Sequence, residues 1–310
     1  MYAISYDDQE TLIEFGEKQG IPFPLLSDID SEVIKQFGIL NEQVTRNDAL
    51  LYGIPYPGVY VTDEEGVVVA KFFHDSYKKR DSPELYIDAA LGQLTLDENA
   101  PHASGGDQDI NLTVAVHGGK GTVRQGVVRH LVVRFELPDG LHIYGPPVPD
   151  GMIATTVTIA GPEGFMVMPP ELPATEKLTL PGVAELNVWH GKVDLIYPFY
   201  ATGELASECR PLDVPSIDIE VLVRYQACTD QECLLPRTET LTLSLDLDVI
   251  DIPAIDLHKG HGQREANYDG TSALKRLLAR KVKQNPLGVP VFLAKTLWLQ
   301  IGALLRKLSR

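Results

Sequence analysis

The feature that most constrains this fold is a pair of cysteines set between two stretches of alternating apolar residues. Ile217 to Tyr225 and Thr238 to Leu247 both alternate, which predicts two β-strands. Cys228 and Cys233 lie between them, separated by four residues. If the cysteines face each other as a non-hydrogen-bonded pair, their Cβ atoms lie about 4.5 to 5.5 Å apart, and a small twist reaches disulfide geometry. A ring this small gains little from loop entropy, so the pair either exchanges electrons or consists of two structural cysteines.

Length and charge bound the remaining possibilities. A chain of 310 residues predicts two domains and a tail. A net charge of −16 argues against a nucleic acid partner, because neutralising phosphates requires clustered Lys and Arg. The chain does not open on a basic stretch followed by an apolar one, so we expect no signal peptide in it. A cytoplasmic location is the default expectation, and a periplasmic one follows if the natural N-terminus lies upstream.

Residues 1–98 alternate between strand and helix patterns. Helices are predicted to begin near Asp7 and near Asp30, and a third over Pro83 to Leu94. The predicted strands are 2–5, 23–26, 58–62 and 67–73. This alternation predicts an α/β domain with a partly parallel sheet.

Four motifs in this segment carry a family resemblance. They resemble the C-terminal two thirds of the peroxiredoxin group (AhpC/TSA) of the thioredoxin-like superfamily, and they are Ala3 to Asp7, Phe23 to Asp28, Phe37 to Ile39 and Pro57 to Gly66. The resemblance implies that Pro57 is the cis-proline that faces the catalytic cysteine in that family.

The segment departs from the family in one essential respect, because residues 1–208 contain no cysteine. By the family's chemistry it therefore cannot reduce a peroxide. The resemblance also implies that a central strand is missing between the strands at 2–5 and 58–62, so these must pair directly or leave a gap. Either the gene is truncated or starts late, or the segment is a degenerate scaffold domain.

The next part of the chain changes character. Residues 99–107 are small, polar and turn-rich, which predicts a linker. In residues 108–256 we predict an antiparallel β-sandwich without helices. Its predicted strands are 111–116, 127–137, 154–159, 177–180, 184–190, 192–200, 217–227 and 238–250.

Three motifs in this half resemble the N-terminal domain of the thiol:disulfide interchange protein DsbD. They are Leu137 to Tyr144, Asn187 to Lys192, and Tyr225 to Pro236. The resemblance implies an immunoglobulin-like sandwich whose redox couple is Cys228 and Cys233. It also implies that Cys233 forms the mixed disulfide and that the partner is a thioredoxin-like redox protein.

The same resemblance implies a cap over the cysteines. The loop at Trp189 would fold over the pair and screen it from small thiols. His190 stands where the family often has tyrosine. His142 and Tyr144 are predicted neighbours of the site, and either histidine is a candidate for shuttling a proton. Acidic neighbours should raise the pKa values of the two thiols.

We expect no metal and no cofactor. His258 and His261 lack further ligands in their glycine-rich loop, and Cys209 is expected to be free and structural. Residues 257–310 are predicted to form a basic, amphipathic helical tail. Over residues 271–310 the tail either packs on its own domains, contacts a membrane peripherally, or binds a partner.

Taken together, these features predict thiol-disulfide exchange through Cys228 and Cys233 with a thioredoxin-like partner. One alternative is a peroxiredoxin-type peroxidase whose nucleophile lies upstream of Met1. The other is a non-enzymatic interaction module with structural cysteines.

Overall fold

The computed structural model describes residues 1–43, 53–74, 76, 78–107, 109–179, 185–206 and 215–248, with positions 286, 294, 297, 298 and 301 in the tail. These residues divide into two compact units. The first contains Met1–Asp81 and Ala89–Leu91, and the second contains Ser82–Asp88 and the described residues from Gly92 onward. Compactness therefore sets a boundary after Asp81, whereas the sequence prediction set it after residue 98.

The first unit has short strands and helices close to their predicted positions. Its elements are β1 Ala3–Ser5, α1 Gln9–Gln19, β2 Leu25–Ser27, α2 Glu32–Gln36, β3 Gly58–Thr62, β4 Val68–Phe73 and β5 Arg80–Asp81. Helix α1 begins where the Asp8 carboxylate accepts a 2.9 Å hydrogen bond from the Thr11 N–H. It ends at Gly20, whose φ of 62° is readily adopted only by glycine.

The strands of this unit form two separate small sheets. β1 pairs with β2 in parallel, and β3 pairs with β4 antiparallel. Within the described part of the unit, no strand joins one sheet to the other. Of the two expected possibilities, direct pairing or a gap, the structure shows the gap.

The second unit consists mainly of strands. Its elements are α3 Pro83–Leu91, which begins in this unit, β6 His102–Gly106, β7 Asn111–His117, a 3-10 turn Gly119–Gly121, β8 Val123–Arg124, β9 Val127–Glu136, β10 His142–Tyr144, β11 Thr156–Ala160, β12 Phe165–Val167, β13 Glu176–Leu178, β14 Leu186–His190, β15 Lys192–Ala201, α4 Gly203–Ala206, β16 Ser216–Tyr225, β17 Ala227–Cys228 and β18 Arg237–Asp248. The eight strands predicted from the sequence are all present in part or whole. The one-turn helix α4 was not predicted.

Three sheets enclose the core of this unit. Their strand orders are β12-β15-β9-β7-β6, then β11-β16-β18-β8, then β13-β14-β10-β17. Inward side chains from all three form one continuous apolar cluster. Strand β16 shows why, because from Ile217 to Tyr225 every second residue is buried and the residues between them are exposed. The predicted β-sandwich is therefore confirmed, and its immunoglobulin-like topology stays a prediction.

The predicted linker is wrong over residues 102–106, which form strand β6. This strand pairs antiparallel with β7. A distant carboxylate also holds it, because Glu239 accepts hydrogen bonds from the Gly106 N–H and from the Tyr225 hydroxyl, both 2.7 Å long. The small residues that suggested a linker instead allow β18 to approach β6 closely.

The predicted continuous strand 217–227 is also corrected. The ladder between β16 and β18 ends at the pair Tyr225 and Arg237. Beyond Gln226 the chain changes partner, and Ala227 pairs with Ile143 on β10. The backbone groups after Tyr225 have lost β18 as a partner, and β10 satisfies them instead. This change of sheet delivers Cys228 to a different set of neighbours.

The tail lies almost entirely outside the described residues, as do Cys209, His258 and His261. The predictions for residues 257–310 therefore stay predictions. In the parts of the chain that the structure describes, no helix is both long and apolar enough to cross a membrane.

Candidate active site

The two cysteines form a disulfide across a tight loop. Their sulfur atoms are 2.11 Å apart and their Cα atoms 4.0 Å apart. Hydrogen bonds of 2.8 Å flank Cys228 and Cys233 on both sides, from the Leu234 N–H to the Ala227 carbonyl and from the Thr229 N–H to the carbonyl of the residue before Cys233. This is the pattern of a non-hydrogen-bonded antiparallel pair, so the predicted facing arrangement is confirmed.

Thr229 shapes the loop between the cysteines. Its hydroxyl oxygen accepts hydrogen bonds from the N–H groups of Gln231 and Glu232, at 3.2 and 3.1 Å. Side-chain to backbone bonds of this kind are a common way for threonine to stabilise a turn. The local sequence therefore helps to fix the shape of the loop that the disulfide closes.

The two cysteines differ in their exposure to solvent. Cys228 is fully buried, whereas Cys233 is exposed. Exchange begins when a thiolate attacks one sulfur of the disulfide, and access decides which sulfur is attacked. Cys233 is therefore the more accessible residue of the pair.

Strand β10 brings the predicted neighbours together. His142 on this strand stands directly opposite Cys228 on one side and His190 on the other. Side chains alternate along a strand, so Tyr144 faces the same way as His142. The ring of His142 lies 5.3 Å from the ring of Tyr144 and 5.5 Å from that of His190, measured between centroids. His190 is exposed, and the other two are buried.

Tyr144 packs against one side of the disulfide. Only 1% of its surface is exposed, and its hydroxyl oxygen lies 3.5 Å from the Cys233 sulfur. It packs in one cluster with Cys228, Leu186 and Val188. Burial raises the pKa of the Tyr144 hydroxyl, so it stays protonated at neutral pH.

The predicted cap residue Trp189 does not cover the pair. It stands opposite Ile143, which points away from the disulfide face, and it belongs to the apolar core. Its indole N–H donates a 3.1 Å hydrogen bond to the Pro173 carbonyl. Side chains alternate between the two faces of a strand, so adjacent residues point in opposite directions. Val188 and His190, on either side of Trp189, therefore face the disulfide, and Trp189 faces the core.

Leu186 and Val188 pack beside the disulfide, and neither residue was predicted to lie at the site. Both are fully buried beside Cys228. Their spacing of two and four residues from His190 places all three on one face of β14, and this signal was available in the sequence.

His142 is an unusual histidine because its ring is fully buried and neither ring nitrogen has a hydrogen-bond partner among the described residues. Leaving a buried polar atom unpaired costs about 1 to 3 kcal/mol. Burial lowers the pKa of His142, nearby His190 lowers it further, and Asp230 opposes them. The ring is therefore a neutral base at pH 7.

This lowered pKa predicts that stability falls in mild acid. The unfolded chain protonates His142 near pH 6.5, while the folded chain does so only at lower pH. As the pH drops through 6.5 the unfolded state therefore gains a proton that the folded state lacks, and stability falls by at most about 1.4 kcal/mol per pH unit. Urea unfolding between pH 5 and 8 should show a smaller loss for His142→Phe. The exposed control His102→Phe should keep the wild-type loss, and an unchanged loss in His142→Phe would contradict the assignment.

Pro57 does not have the predicted geometry. Within the described residues the cis peptide bond is Pro146-Pro147, so the bond before Pro57 is trans. The trans form is the more stable one for most X-Pro bonds. Residues 1–208 contain no cysteine that a cis proline at this position could face. In the described parts of the chain, no group of three or more His, Cys, Asp or Glu side chains is placed to hold a metal ion.

Comparison with known families finds two matching segments. Residues 1–71 match the AhpC/TSA family, and residues 120–245 match the family described as thiol:disulfide interchange protein DsbD, N-terminal. Both resemblances expected from the sequence are confirmed. Each match covers less than half of the chain.

Individual relatives match a short stretch of the chain. A protein of Mycobacterium tuberculosis (strain H37Rv) named as a peroxiredoxin is 40% identical over 75 residues, which are 23% of this chain and 44% of the relative. The peroxiredoxin bcp of Haemophilus influenzae is 33% identical over 90 residues, 28% of this chain and 53% of the relative. The chain thus spans about half the length of the curated relatives it matches.

Solved structures match about half of the chain at low identity. The N-terminal periplasmic domain of ScsB from Proteus mirabilis is 12% identical, with 51% of this chain and 55% of that chain covered and a TM-score of 0.33. The reduced DsbD N-terminal domain of Neisseria meningitidis is 15% identical, with 50% and 93% covered and a TM-score of 0.25. A structure of the complex between the DsbD and PilB N-terminal domains of that organism is 12% identical, with 48% and 86% covered and a TM-score of 0.27.

Proposed function

We propose that this chain, whose residues 120–245 match the N-terminal family of the thiol:disulfide interchange protein DsbD, exchanges electrons with a thioredoxin-like protein through Cys228 and Cys233. One observation carries the proposal. The disulfide joins the exposed residue Cys233 to the fully buried residue Cys228, in a loop whose first cysteine pairs with strand β10. A purely structural disulfide gains nothing from presenting one of its cysteines to solvent.

The chemistry runs in two displacements. A partner thiolate attacks the Cys233 sulfur, the bond to Cys228 breaks, and Cys228 leaves as a thiolate. The second thiol of the partner then attacks the mixed disulfide and releases Cys233. Two electrons pass to the pair, the partner becomes a disulfide, and protons from the partner's thiols balance the two thiolates. Oxidation of the pair is the reverse sequence.

The charges on the loop favour a partner that brings its own activated thiolate. Asp230 and Glu232 lie between the cysteines, and residues 228–235 contain no Lys or Arg. Negative neighbours disfavour a thiolate, so the pair itself is a poor nucleophile. Leu235, which is 85% exposed, offers an apolar contact beside the reactive sulfur. A thioredoxin-like protein combines a low-pKa thiolate with the second thiol that the reaction needs.

The alternative function, a peroxiredoxin-type peroxidase, needs a cysteine nucleophile, and the segment that matches the AhpC/TSA family has none. The AhpC/TSA similarity ends at residue 71, and residues 1–208 contain no cysteine. Peroxide reduction by a thiolate therefore cannot begin on these residues.

The test mixes the oxidised protein with an equimolar amount of a reduced thioredoxin carrying a Cys-x-x-Cys pair. After acid quenching and alkylation, peptide mass spectrometry counts the free thiols at positions 228 and 233. We expect one pair to be reduced for each thioredoxin oxidised, and the reaction should reverse with oxidised thioredoxin. A pair that stays oxidised under excess reduced thioredoxin, with a reduction potential below about −300 mV, would instead support structural cysteines.

A further inference from the structure

We infer that His142 takes the proton from the Cys228 thiol when the pair re-forms its disulfide, and returns it when the pair is reduced. This inference rests on the proposed exchange function. It assigns a role in proton transfer to a residue that lies outside the disulfide itself.

The position of His142 is the first support. It stands directly opposite Cys228 in the antiparallel ladder of β10 and β17, so both side chains lie on the same face. Both residues are fully buried. A thiolate formed at Cys228 is therefore shielded from water, and its proton must be exchanged with a protein group.

The state of the ring is the second support. Neither nitrogen of His142 has a hydrogen-bond partner among the described residues, so one lone pair and one N–H remain available. Buried polar groups are normally paired, and an exception at this place calls for an explanation. Burial also keeps the ring neutral, which is the form that can accept a proton.

The other titratable groups around the ring serve this role less well. Tyr144, on the same strand, holds its proton because burial raises the pKa of its hydroxyl. His190 faces the ring from β14 and is exposed, so it can connect His142 to solvent. Asp230 on the cysteine loop is exposed, and its charge favours the imidazolium that forms after transfer. Cys228, which faces the ring from β17, is the thiol whose proton is transferred.

The proton transfer accompanies closure of the disulfide. When Cys233 carries a mixed disulfide, the Cys228 thiol gives its proton to the neutral imidazole. The resulting thiolate attacks the Cys233 sulfur, forms the internal disulfide, and releases the bound group as a thiolate. His142 then passes its proton through His190 to solvent. Reduction follows the same path in reverse: a proton from solvent passes through His190 to the His142 ring, which gives it to the departing Cys228 thiolate.

The test follows the reaction of the reduced pair with 5,5′-dithiobis(2-nitrobenzoate) in a Cys209→Ser background. The first phase releases one thionitrobenzoate as exposed Cys233 attacks the reagent. The second releases another as Cys228 attacks the mixed disulfide. We expect His142→Phe to slow the second phase about 100-fold at pH 7 and to leave the first unchanged. The control His102→Phe, an exposed histidine on the other sheet, should change neither phase.

The pH profile separates proton transfer from a structural effect. In His142→Phe the second phase should rise tenfold per pH unit with ionisation of the thiol and approach the wild-type rate above pH 9. The wild-type phase should stay nearly flat from pH 7 to 9. A wild-type second phase that itself rises tenfold per unit, an unaffected variant, or equal slowing of both phases would overturn the role of His142.

No protein partner takes part in this measurement. Its failure would leave exchange with thioredoxin untouched, and a failed exchange with thioredoxin would leave the phases interpretable.

Discussion

A protein that retains Cys233 as its sole thiol should form a mixed disulfide with a thioredoxin-like protein much faster than one that retains only Cys228. The two variants are Cys228→Ser and Cys233→Ser, both in a Cys209→Ser background. Their thiols are the same chemical group five positions apart in one loop, and they differ in burial. Because a buried thiol reacts only after local opening, we expect capture by Cys233→Ser to be slower by roughly 100-fold, which corresponds to an opening of about 3 kcal/mol.

The measurement uses a thioredoxin whose resolving cysteine is replaced by serine and whose remaining cysteine carries thionitrobenzoate. Attack by the free thiol releases the chromophore and leaves the two proteins joined, as non-reducing electrophoresis will show. Equal capture rates would mean that burial does not decide which sulfur reacts. Faster capture by the variant that keeps Cys228 would reverse the proposed order of steps.

The sequence predicted the sandwich well because its strands carry their signal locally. The alternation along β16 is complete from Ile217 to Tyr225, and no distant information is needed to read it. Strand β6 was not predicted, because its signal is not local. Its small, glycine-containing residues have no strand pattern, and it is held by Glu239, which lies 133 positions after Gly106.

The same distinction between local and long-range signals holds for the site. The facing of Cys228 and Cys233 depends on a short loop that its own threonine stabilises. Spacing made this arrangement possible, and the resemblance to the DsbD N-terminal domain implied the pair. The cap depended on which face of β14 looks toward the disulfide. That choice is set by the register of β14 on β10, which places His190 and not Trp189 on the site face.

The His142 environment could not be predicted from the sequence for a related reason. A histidine near a cysteine motif says nothing about whether its ring nitrogens find partners. That depends on three strands, β10, β14 and β17, closing around one side chain. The buried and unpaired state of His142 appears only when all three are in place.

Exchange requires that the sandwich stay folded when its disulfide is open, so stability has to come from the core. The six-residue ring closed by the disulfide contributes at most about 2 kcal/mol by loop entropy. Phe135 is fully buried on β9 between Leu112 and Val193, and its ring meets that of Tyr225 edge-on at 5.1 Å.

Phe135→Ala should therefore lower the free energy of unfolding by about 3 to 5 kcal/mol, more than opening the disulfide does. Trp189 lies in the same core, so in a Trp298→Phe background its fluorescence reports urea unfolding of the sandwich alone. The 85% exposed Leu235→Ala is the matched control and should change stability by no more than about 0.5 kcal/mol. If reduction of the wild type cost more than Phe135→Ala, the disulfide would be what holds the fold, and a role in reversible exchange would be untenable.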